Sequence, residues 1–97
     1  MSKTGIQDTI KELNNGDLFL FACDLVETSR FAGCFKGGKE VIKDIWEITE
    51  KEMEKKGIKL PHPEITYHIA IDSIYTEKTM FNYLGIKNWK DLVENYN

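Results

Sequence analysis

The chain has 97 residues, 41% of them hydrophobic and 11% aromatic, and a formal net charge of −3. That length suits a single domain over 1–97, with enough apolar material for a core that needs no metal or disulfide staples. The charge excludes a concentrated basic surface for nucleic acid, and no apolar run approaches the ~20 residues that span a bilayer.

The first element in chain order is a helix from Thr4 to Asn14, with Ile6, Ile10 and Leu13 on one face and a capping box at Thr4 and Gln7. Its polar start is unlike a signal peptide, so the expected compartment is the cytoplasm, with both cysteines reduced. Asn14-Asn15-Gly16 reads as a stop and a turn. The run LFLFACDLV, from Leu18 to Val26, is nearly all apolar and rich in aromatic and branched residues, which predicts a strand buried on both faces. Thr28-Ser29 is then the reversal of a hairpin, with RFAGCFK (Arg30 to Lys36) as the second strand. In that register Cys23 faces Cys34 and Glu27 faces Arg30.

Gly37-Gly38 closes the hairpin, and Lys39 to Lys56 carries a broad apolar stripe that includes Val41, Ile45, Trp46, Ile48 and Met53. The stripe predicts a long amphipathic helix stopped by Gly57. LPHPE reads as an extended connector. ITYHIAID, from Ile65 to Asp72, alternates with period two and predicts a third strand. A short helix ending at Gly85 and a last helix capped by Asn88 complete the chain. The expected class is therefore α+β: a small three-stranded sheet packed by one long and about three short helices. Its exposed sheet edges predict a homodimer.

Asp24 interrupts the apolar run, so its carboxylate must be hydrogen-bonded, paired, protonated or set at the mouth of a cavity. His68 and Asp72 share a face of the third strand, about 13 Å apart, and either could meet Asp24. Arg30, Lys36 and Lys39 flank Gly37 and Gly38 at the start of the long helix, where free amides and cations suit a phosphate or carboxylate. FKGGKE lacks the spacing of either glycine-rich nucleotide fingerprint. The two cysteines and two histidines form no zinc pattern, and no cofactor loop is present, so neither a metal nor a cofactor is expected.

These features predict a small non-enzymatic binding protein with Arg30, Lys36, Gly37, Gly38, Lys39, Asp24 and His68 as candidate ligand residues. The expected partner is a small anionic, nucleotide-like ligand or a protein. Twelve lysines stand against the single arginine, Arg30. With many Ile and Asn, that usage points by analogy to a phage or mobile-element accessory protein that sequesters a signal or inhibits a host protein. The alternatives are a small acid–base enzyme using Asp24, His68 and Asp72, and a structural oligomerisation subunit.

Overall fold

A computed structural model describes residues 3–34 and 36–96, with the side chains at 32–34 outside the description. Six α-helices run through the described residues: α1 (Lys3–Glu12), α2 (Asn15–Thr28), α3 (Gly38–Lys56), α4 (Pro63–Tyr75), α5 (Met80–Leu84) and α6 (Trp89–Asn95). A 3-10 turn, Ser29–Cys34, joins α2 to the loop before α3. No strand occurs among the described residues, so the expected α+β class and its three-stranded sheet are wrong. The dimer argument from sheet edges falls with it.

The first correction concerns the apolar run, which is the body of α2. Asn14-Asn15-Gly16 begins this helix instead of closing a turn: the Asn14 side chain accepts the Asp17 N–H at 2.8 Å, satisfying one orphan donor of the first turn. Leu18, Phe21, Ala22 and Leu25, spaced i, i+3, i+4, i+7, are all buried in the core. A helix embedded on several sides reads as a continuous apolar run, as a two-faced strand does. Here α2 packs along α4 and also meets α3 and α5.

Thr28-Ser29, without Gly or Asn, makes no primed hairpin turn. The chain tightens into the 3-10 turn, and the Ser29 hydroxyl donates to the Val26 carbonyl at 2.8 Å. Glu27 and Arg30 do pair, at 3.3 Å, as i,i+3 neighbours on one helical surface. The predicted second strand includes Phe35, which lies outside the described residues, as does the Cys34 side chain; Cys23 itself is a free, buried thiol on α2.

The third strand is α4. His62 caps it through Nδ1, which accepts the Glu64 N–H at 3.2 Å, and Pro63 occupies the first turn, where its missing donor costs nothing. The inward face of α4 is Thr66, Ala70 and Ser73, at i, i+4, i+7, each no more than 3% exposed. The hydroxyls of Thr66 and Ser73 bond to carbonyls of the preceding turn, at His62 and Ile69. A small, self-satisfied face lets α4 lie close along α2 and sends the larger side chains outward.

Elsewhere the helical reading holds with small shifts. On α3, Val41, Ile45, Ile48 and Met53 face the core, while Trp46 is only half-buried against it. Gly57 ends the helix in the left-handed region at φ 68°. Thr79 caps α5, and Asn88 caps α6 by accepting the Asp91 N–H at 2.9 Å. Lys56 donates to the Leu13 carbonyl, tying the end of α3 to the end of α1. No helix of the described residues is long and apolar enough to cross a membrane.

Candidate functional site

Asp24 is 6% exposed, and its Oδ2 accepts the backbone N–H of Met80 at 2.6 Å. Met80 opens α5, so the carboxylate satisfies an orphan donor of a helix 56 residues away. The Thr28 hydroxyl lies close enough to it to favour its charged form. Burial holds the Asp24 carboxyl above its usual range and Glu27 adds to that, while the bond from Met80 and the Thr28 hydroxyl pull the other way.

This acid lines a cavity of about 490 Å³ between α2, the 3-10 turn, α4 and the last two helices. Glu27, Thr28 and Arg30 form its polar end. Four aromatics, Phe31, Tyr67, Phe81 and Trp89, join Ile71 and Ile74 as its walls. Phe81 and Trp89 meet nearly at right angles, with centroids 5.4 Å apart and an interplanar angle of 86°. Tyr67, Ile71 and Ile74 lie at i, i+4, i+7, so the flank of α4 beside its small inward face supplies one whole wall.

Of the five large apolar side chains exposed among the described residues, Phe31, Tyr67 and Ile74 line this cavity, while Ile65 and Tyr75 stand on α4 outside its lining. Phe31 is 62% exposed, Tyr67 47% and Ile74 62%, with Tyr75 at 83% at the end of the same helix. At ~150–250 Å² for a full large side chain, the three lining residues leave on the order of 350 Å² in water.

Of the residues expected to bind, only Asp24 and Arg30 line this cavity. Arg30 stands at the rim, held by Glu27. His68 is exposed on α4 with its ring against Tyr67, centroids 5.7 Å apart, and Asp72 lies one turn further along the same outer face. The enzyme alternative needs Asp24 and His68 together. Instead, Asp24 is turned toward Met80 inside the fold while His68 faces out.

Lys36 and Lys39 are exposed, and Gly38 is buried at the start of α3. Gly37 caps that helix in the left-handed region at φ 83°, with no side-chain capping bond. Glu40 sits in the same first turn, an anion already placed where an anionic ligand would go. Burial, and then the neighbouring Asp24, pushes the Cys23 thiol up to about 11, which suits a core filler and not a nucleophile. No cluster of three His, Cys, Asp or Glu side chains among the described residues could hold a metal ion.

The aromatic walls escape a reading of the sequence because Phe31 and Trp89 sit at spacings that also suit a core. The signal that could have found them is the small-residue face Thr66, Ala70, Ser73, which leaves Tyr67, Ile71 and Ile74 facing elsewhere. Comparison with known proteins finds no matching family model, no similar curated protein and no similar solved structure.

Proposed function

We propose that this is a non-enzymatic binding protein whose groove receives an amphipathic helical segment of a protein partner, so that the partner is occupied or blocked. The observation that carries the reading is the inversion of α4: its small residues face α2, and Tyr67, Ile71 and Ile74 face a groove. Apolar residues at i, i+4, i+7 give α4 a ridge against which the apolar stripe of a second helix can pack, and Tyr67 to Ile74 spans two helical turns, about 10 Å.

Charge favours one occupant over the other expected class. The polar end of the groove carries Asp24 and Glu27 against Arg30 alone, an acidic excess that repels a phosphorylated ligand. It suits a partner helix with a basic residue beside its apolar stripe. The free, buried Cys23 thiol fits a reducing, cytoplasmic setting.

Selection of a displayed random-peptide library against the full chain tests the proposal. The expected winners are amphipathic, carry a basic residue, and lose at least tenfold in affinity against Ile74→Glu. Winners that bind Ile74→Glu equally well place the site elsewhere and overturn it. Sedimentation showing a dimer that Ile74→Glu dissociates would make a second copy the occupant and overturn the partner reading.

A further inference from the structure

Resting on that reading, we infer that the floor of the groove is an ammonium cage, built to take the side chain of a lysine on the partner helix. Its walls are lined by the aromatic rings of Tyr67, Phe81, Trp89 and Phe31, and the buried Asp24 with Glu27 borders the same cavity. The right-angled Phe81–Trp89 pair makes a corner, the arrangement in which a cation meets two aromatic surfaces at once. A site with apolar aromatic sides and carboxylates at one end offers a primary ammonium two kinds of attraction: the ring quadrupoles and a charge-assisted hydrogen bond.

Three further facts support a cation here. Asp24 is 6% exposed beside a second acid, so the attraction of a nearby cation would offset the cost of its burial and the repulsion from Glu27. Its Oδ2 is engaged by a neutral amide, and the nearby Thr28 hydroxyl is neutral as well. Arg30, the cation lining the cavity, is directed to Glu27, and its side chain is 66% exposed at the rim. Lysine fits better than arginine because a compact ammonium on a four-carbon stem can reach down an aromatic shaft, whereas a planar fork prefers a bidentate carboxylate at the surface.

The test uses n-butylammonium, which reproduces a lysine side chain, and butan-1-ol as its uncharged counterpart, each titrated into the full chain. Signals of the Trp89 indole N–H and the Met80 amide are followed by NMR. Butylammonium should move both at concentrations at least tenfold lower than butanol, and Asp24→Asn should abolish that difference. Tyr67→Leu, at a half-exposed position where folding is not at stake, should weaken butylammonium several-fold and leave butanol nearly unchanged. Equal responses to the two probes, or an ammonium preference indifferent to both substitutions, overturn the cage.

A second arm settles the source of the ammonium. A selected groove-binding peptide should lose about tenfold when its lysine becomes norleucine. If both peptides bind alike, the groove still takes a partner helix and the lysine cage is refuted. If butylammonium binds but no peptide does, the ligand is a free alkylammonium and the partner-helix reading falls instead.

Discussion

Asp24 on α2 accepts the Met80 amide of α5 at 2.6 Å, so one buried carboxylate both fastens two distant helices and forms part of the groove's polar end. Because burial raises its native pKa, the unfolded chain gives up this proton first as pH climbs out of the acid range. Between the ordinary carboxylate pKa and the raised native value, folding carries an extra proton, and this group's contribution to stability falls as pH rises.

Asp24→Asn removes that dependence while its amide oxygen still accepts from Met80. Urea unfolding across a pH series should show the variant within about 1 kcal/mol of wild type in acid, the size of one net hydrogen bond. It should gain on wild type as pH passes upward through that window. A constant difference at all pH values would mean that Asp24 ionises as freely in the folded state as in the unfolded one.

The α2–α4 contact depends on small side chains. Ala70→Leu, at a position 3% exposed, should cost ~1–3 kcal/mol by overpacking. Ile74→Glu, one turn away and 62% exposed, should change stability by less than about 0.5 kcal/mol. Thermal or urea denaturation separates the two. A costly Ile74→Glu would place that side chain in the core and remove the groove's wall.

Cys23 should resist alkylation. In a Cys34→Ser background, iodoacetamide at neutral pH should modify the folded protein at least a hundredfold more slowly than the urea-unfolded chain, because the thiol is buried and its pKa is pushed up to about 11. Equal rates would show that α2 opens readily.

Two backbone positions in the left-handed region should respond in opposite directions. Gly37→Ala forces a Cβ into φ 83°, where it would meet Val93 Cγ1 at 3.4 Å, and should cost ~1–2 kcal/mol. Glu77 holds φ 58° just after α4, a strained choice for a residue with a side chain. Glu77→Gly should therefore stabilise the domain by up to about 1 kcal/mol. Denaturant midpoints of the two variants moving in the same direction would contradict this account.

The helices with caps and large apolar stripes were legible in the sequence. Gly57 stops α3 and Asn88 caps α6 as their chemistry requires. Of the three segments read as strands, the two that form α2 and α4 mislead for different reasons. In α2 the apolar residues surround the axis, so no period distinguishes helix from strand. In α4 the branched residues Ile65, Ile69 and Ile71 alternate with smaller or polar ones by chance, and the true helical face is made of Thr66, Ala70 and Ser73, which carry little hydrophobic signal. Asp24 was legible as a buried acid needing a partner. Its partner was not, because nothing local in the sequence joins residues 24 and 80.

The groove is assembled from opposite ends of the chain. Asp24 and Phe31 come from the first third, while Phe81 and Trp89 are added by the last two helices. A chain emerging from the ribosome can form α1, α2 and α3 early, yet Asp24 has no Met80 amide until residue 80 has emerged. The groove is therefore among the last features to form during synthesis. A nascent chain halted before Trp89 would lack one wall of the groove together with the core side chains Trp89 and Leu92, so groove and core are completed in the same step.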